Sequence, residues 1–394
     1  MRRRQFFGLS GIAALAAASG ASGAAASRVS AASPASPKRA GRPPGMKLGC
    51  QSGPSTEQHF AFFARYGVRN ICASPVIDDP ARLYPTVEEL SRLREMAERH
   101  KLSVDLTDSV LLSSTLIDNE KHPAIMLAQS PQRDRDIEAF QTLIRNCAKV
   151  GIPAVKYNMS ILGVLRNIHV AGRGDAEYSG WDASAAAADA PLTRAGIVDD
   201  AAFWERITYF LDRVVPVANE YKIRIACHPQ DPGVAPTGYR GVHRVLGTVA
   251  GLKRFVVINE SPYHGLNFCQ GTLSEDLAQP AEEIYDVIRY FGSRNKIFNV
   301  HIRNIRGHRD HFVETFPDEG DVDMLRAIST YKEVGYDGML MPDHVPLVGA
   351  PPPNGEAYAY NYGGSGTAGD GHLESFAFAY GYIRGLLQAV DRFG

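Results

Sequence analysis

The sequence lacks an excess of charge of either sign, with 42 Lys and Arg against 43 Asp and Glu and a net charge of -1. No long Lys/Arg run interrupts the body of the chain, so the electrostatic footprint of a nucleic-acid binder is missing and a small molecule is the expected partner. Five cysteines, Cys50, Cys72, Cys147, Cys227 and Cys269, contain no C-x-x-C pair. Cys50, Cys72 and Cys227 lie in or beside apolar strand-like runs, where buried free thiols are common, so no structural disulfide is expected. Neither G-x-G-x-x-G nor a P-loop follows the first strand, which leaves a doubly wound open sheet, the runner-up fold, unsupported. At 44% hydrophobic and 22% charged residues, the chain is an ordinary globular protein with ample length for a large core.

The N-terminus reads differently from the rest. "MRRRQFFGLSGIAALAAASGASGAAAS" joins an arginine cluster to a short Ala/Gly-rich run ending at Ala24, Ala25 and Ala26. Arg3 and Arg4 followed by Gln5, Phe6 and Phe7 resemble the twin-arginine export pattern, whose pathway carries proteins that have already folded. Gly11, Gly20 and Gly23 break the apolar run, which argues against a membrane anchor. The expected organisation is a signal over residues 1–26, a Ser/Ala/Pro linker over 27–45 and one domain over 46–394, exported to the periplasm with no stable membrane anchor after cleavage. The oligomeric state is not legible in one sequence, and a homo-oligomer is compatible with it.

From Met46 onward, short β-branched runs alternate with longer amphipathic ones. Strands are expected at "MKLGCQ" (46), "RNICAS" (69), "LSVDLT" (102), "PAVKYN" (153), "IRIACH" (223), "LNFCQ" (266), "IFNVHI" (297) and "DGMLMPD" (337). Helical patterns fill the intervals, among them 86–100, 136–151, 203–221 and 281–292, and "ESFAFAYGYIRGLLQAV" supplies the last. Eight strand–helix units over this length predict an α/β fold, a (β/α)8 TIM barrel. Long insertions at 166–200 and 307–324 fall on the face where barrel active sites form, and are expected to be polar loops covering a substrate.

Four strand ends carry side chains that bind metals: His228, Cys269, His301 and Asp343. Each is alone unremarkable, since a histidine is often a satisfied core residue, a cysteine a small hydrophobe and an aspartate a turn cap. Their separations, each about one βα unit, bring all four to one rim of a barrel, because consecutive strands lie side by side. Two imidazoles, a thiolate and a carboxylate form a ligand set for a divalent cation, and softness alone ranks Zn2+ or Fe2+ above Mn2+.

The segments "ACHPQDP", "FCQGTL", "VHIRN", "EGDVDM" and "MPDH" resemble, in order, blocks of the mannonate dehydratase family. The resemblance runs from about Met46 to the C-terminus and is most specific between Ala226 and His344. It implies a xylose-isomerase-like barrel holding Mn2+ or Fe2+, ahead of Zn2+, through His228, Cys269, His301 and Asp343. It also implies β-elimination of water from a sugar acid such as D-mannonate, giving a 2-keto-3-deoxy acid. His344, next to Asp343, is the first candidate for acid/base work, with metal support as the plainer role. Arg303, on the strand face of His301, suits a substrate carboxylate, or an ordinary salt bridge. Tyr157 and Asn158 resemble the family's "YN" and are expected at substrate hydroxyls. Asp321 and Asp323 are expected to organise a loop and cap the next helix.

The chain also departs from the family pattern. "MSILGVLRN" follows "YN" where the family has a Trp-Thr-Arg stretch, leaving Arg166 to play a similar substrate role. Val313 and Pro317 stand at positions of family histidines, with His308 and His311 nearby, and Val345 replaces a small residue. The metal shell is matched better than the substrate shell, so a related sugar or sugar acid is also compatible. Two other classes compete: a sugar isomerase or epimerase, for which Glu260 is the one extra acid, and a non-catalytic exported sugar-acid binding protein.

Overall fold

The computed structural model describes residues 45–52, 55–348 and 370–393. The expected signal and nearly all of the expected linker lie outside them. Among the described residues, twelve strands are numbered in chain order. β1 (Lys47–Ser52), β2 (Asn70–Ala73), β3 (Ser103–Asp108), β4 (Ala154–Asn158), β7 (Arg224–His228), β8 (His264–Cys269), β9 (Ile297–His301) and β12 (Met339–Met341) pair in parallel. They close in the order β1-β12-β9-β8-β7-β4-β3-β2, so each of the eight expected strands is a stave of the barrel.

Several helices start at a side-chain cap. At α2 (Val87–Arg99), Thr86 accepts from the Glu89 amide while Glu89 reaches back to the Thr86 N–H, satisfying two donors that a helix end leaves unpaired. Asp199 caps α5 (Asp200–Tyr221) and Asp323 caps α9 (Met324–Glu333), the latter as expected. The expected helix at 136–151 starts earlier, as α4 (Gln132–Val150), and stops at Gly151, whose φ of 74° suits a residue without Cβ. The remaining helices are α1 (Glu57–Arg65), α3 (Ala124–Leu127), α6 (Val249–Phe255), α7 (Gln270–Asp276), α8 (Pro280–Gly292) and α10 (Asp370–Phe393).

The two insertions are loops only in part. They pair with each other as a four-stranded sheet of order β10-β11-β6-β5, formed by β5 (Ile168–Ala171), β6 (Glu177–Asp182), β10 (Asn304–His308) and β11 (His311–Thr315). β6 and β11 meet across a long sequence distance, with Gly180 opposite Val313. A Cβ on Gly180 would lie 2.2 Å from the Phe312 carbonyl oxygen, so glycine is what lets these strands approach. Trp181, Ile305 and Phe312 then bury one another beneath the sheet.

Inside the barrel, Cys72, Leu106, Ala154, Ala226, Phe298, Met339 and Met341 form one apolar cluster. Side chains repeat every second residue along a strand. Two positions further along the same strands therefore come Ser74, Asp108, Lys156, His228 and Asp343. On these five staves the plug thus sets the phase that delivers a polar layer to the C-terminal mouth, whereas on β9 His301 comes three residues after Phe298.

Candidate metal centre

β7 ends on His228, β8 on Cys269 and β9 on His301, while Asp343 stands just past β12. These four staves are neighbours, and one donor atom from each side chain lies within 4.8 Å of the others. A cation with bonds of about 2.0–2.3 Å brings its donors within roughly 4.6 Å of one another, so the quartet is close to a bonding sphere.

The hydrogen bonding leaves suitable atoms for an ion. His228 bonds the Pro229 carbonyl through Nδ1 at 2.6 Å, which leaves its Nε2 as the donor. His301 Nε2 meets the Asn267 amide at 3.0 Å, and its buried Nδ1 has no hydrogen-bond partner. Asp343 Oδ1 is a second buried atom without one. Burial lowers His301 to about 4 and His228 well below its usual value, so both imidazoles are neutral, as ligands must be. Burial opposes ionisation of Asp343, but Arg303 holds its carboxyl well below the usual range. Burial pushes the Cys269 thiol up, and a bound cation would act in the opposite sense. These residues form a metal-capable cluster whose donors fit a divalent transition ion.

A layer of buried charge surrounds it. Arg303 donates to Cys269 Sγ at 2.9 Å, Asp343 Oδ2 at 2.5 Å, Asp231 Oδ2 at 2.7 Å and Glu275 Oε1 at 2.7 Å. Arg166 bonds Asp231 Oδ1 at 2.7 Å and Glu314 Oε1 at 2.5 Å. Arg303, expected at a substrate carboxylate or in a salt bridge, and Arg166, expected at substrate, both neutralise protein carboxylates here, because a buried guanidinium demands paired anions. Gly271 of "FCQGTL" makes room, since a Cβ there would sit 2.3 Å from Arg303 Cγ. His344 Nδ1 lies 2.5 Å from Glu314 Oε1, and its Nε2 is 3.7 Å from Asp343 Oδ2, on the side of the ligands. Burial opposes ionisation of Glu314, yet Arg166 and His344 lower it to about 2.

Tyr157 is a second correction. Its ring packs on Phe140 and Phe210 at 5.5 and 5.4 Å between centroids, in the layer between barrel and helices. The period of two turns Tyr157 outward and Lys156 inward; Asn158, of the same parity as Lys156, is in register with His228 at the mouth. His308 and His311 are exposed and face each other across the β10–β11 turn. Glu260 lies before β8, at the opposite end of the barrel, with its side chain 70% exposed. Asp321 accepts from the Gly307 N–H and so organises the loop, as expected. Sequence reading missed Asp231, Glu275, Glu314 and Lys156. Asp231 sits inside "ACHPQDP" and Lys156 is a lone charge in an apolar strand, so both had a signal; Glu314 reaches the site only through pairing of the two insertions.

Comparison with known proteins bears on the family and the fold. A family described as D-mannonate dehydratase (UxuA) matches residues 175–391. A mannonate dehydratase of Thermotoga petrophila is 28% identical over 361 residues, covering 83% of this chain and 92% of that protein. The crystal structure of mannonate dehydratase from Streptococcus suis serotype 2 superposes with a TM-score of 0.70 at 24% identity, covering 88% of this chain and 95% of that one. A xylose isomerase domain protein from Planctomyces limnophilus superposes at 0.55 with 12% identity, over 89% of this chain and 99% of the other, which shares the xylose-isomerase-like barrel fold.

Proposed function

Because this chain belongs to the D-mannonate dehydratase family, a family of hydro-lyases, we propose that its mouth removes water from D-mannonate or a closely related sugar acid. The observation that carries the reading is the convergence of His228, Cys269, His301 and Asp343 within 4.8 Å at consecutive strand ends. These residues would hold the ion, Mn2+ or Fe2+ ahead of Zn2+. Bound there, a divalent cation supplies the positive charge that offsets the second negative charge built next to the substrate carboxylate when the C2 proton leaves.

The chain's own groups move the proton. With Nδ1–H donated to Glu314, His344 keeps its Nε2 lone pair toward the ligand side, placed to accept the C2 proton. The Glu314 carboxylate then faces the imidazolium and stabilises it, and the proton on Nε2 is available to the departing 3-hydroxyl. Arg303 fixes Asp343 and Cys269 relative to one another. Metal-loaded protein incubated with aldonates, aldoses and glycosides tests the reading: 2-keto acid forms from an aldonate alone, whereas isomerised sugar, or no product, contradicts it.

We propose a periplasmic location, a reading that the Arg3–Arg4 pattern supports. Lysine at both positions should leave it in the cytoplasm, measured by fractionation; unchanged export would remove this assignment.

A further inference from the structure

The mouth of the barrel divides into two arcs. β7, β8, β9 and β12 carry the metal-capable quartet, and the other four staves carry a different set. Lys156 of β4 is buried, yet reaches Gln51 Oε1 of β1 at 2.8 Å and Asp108 Oδ1 of β3 at 3.5 Å. Asp108 Oδ2 accepts from Ser74 Oγ, just beyond β2, at 2.8 Å. The Gln51 amide nitrogen is buried with no hydrogen-bond partner. Each stave of this arc therefore supplies one polar group, alternating cation, anion, hydroxyl and amide. β4 pairs with β7, with Lys156 opposite Ala226 and Asn158 opposite His228, which puts the arc next to the candidate ligands.

We propose that Gln51, Ser74, Asp108 and Lys156 form a subsite for the uncharged polyhydroxylated tail of an aldonate whose carboxylate end lies at the quartet. The inference rests on the sugar-acid reading above and deepens it. An ammonium alone would attract a second carboxylate, but Asp108 beside Lys156 cancels that charge and repels an anion. Vicinal hydroxyls, which donate and accept at once, suit the set: they accept from Lys156 and the unpartnered Gln51 amide and donate to Asp108. The subsite thus selects aldonates over sugar diacids and rewards chain length beyond C3.

Steady-state kinetics with metal-loaded protein on six-carbon and four-carbon aldonates test this, together with calorimetric binding of an aldonate and the matching aldarate. Lys156→Met should raise KM for the six-carbon acid about 10- to 100-fold. The four-carbon KM should rise several-fold less, since that acid ends short of this arc. Asp108→Asn should weaken the six-carbon acid and strengthen aldarate binding, an opposite-sign response that misfolding cannot produce. Equal losses on both chain lengths, a fall in kcat alone, or no aldarate gain would overturn the subsite. If wild-type protein binds aldonates with this length preference but turns none over, the dehydratase reading fails and the subsite stands.

Discussion

At the scale of single residues, the site separates groups that meet an ion from groups that hold those groups in place. Cys269 lies in the first set by geometry, whereas Cys147 is packed in α4 against the core. Cys269→Ser is expected to lower bound metal more than about tenfold, with Cys147→Ser unchanged, by elemental analysis of protein purified without added metal; equal content in the two variants would remove Cys269 from the centre. Glu314 belongs to the second set. Glu314→Gln keeps a hydrogen-bonding group but loses the charge facing His344, so kcat should fall about 10- to 100-fold with metal retained and KM little changed. A KM effect alone would mean that Glu314 serves substrate binding. The four donors were legible because each ends a strand. Arg303 was not: its position two residues past His301 placed it on the right face, but only the fold shows four protein carboxylates already around it.

At the scale of elements, local signals marked the eight barrel strands and several of the helix starts. The Thr86–Glu89 capping box was readable in "TVEE", and Glu89 also binds Arg82 at 2.7 Å through both carboxylate oxygens. Arg82 is the main reason that Glu89 falls from 4.5 to about 2. A carboxyl lowered on folding stabilises the native state fully above its unfolded pKa and loses that contribution as pH falls through the folded one. The melting-temperature gap between wild type and Glu89→Gln should therefore be constant above pH 4.5, reflecting about 3 kcal/mol, and close toward pH 2. A gap that persists at pH 2 would assign the effect to packing. The insertion sheet was the element least visible in sequence. "EYSGWD" and "HFVET" have strand-like alternation, but nothing local says that one must pair with the other.

At the scale of the molecule, a ligand site assembled from four staves couples metal binding to the closure of the barrel. Removing the ion with a chelator should lower the melting temperature by several degrees, and an excess of Mn2+ or Fe2+ of about a thousandfold over Kd should restore about 4 kcal/mol. No change on chelation would mean that the quartet binds no ion in the folded protein. From sequence alone came whatever depends on chain order: eight strand–helix units and donors one unit apart, because adjacent parallel strands in this barrel are also consecutive units of the chain. Tertiary structure alone decided which neighbour of each strand end faces inward, Lys156 and not Tyr157, and which distant group touches His344. Those outcomes depend on how the apolar plug sets the phase of β4 and on pairing between remote insertions, and neither is encoded within a window of a few residues.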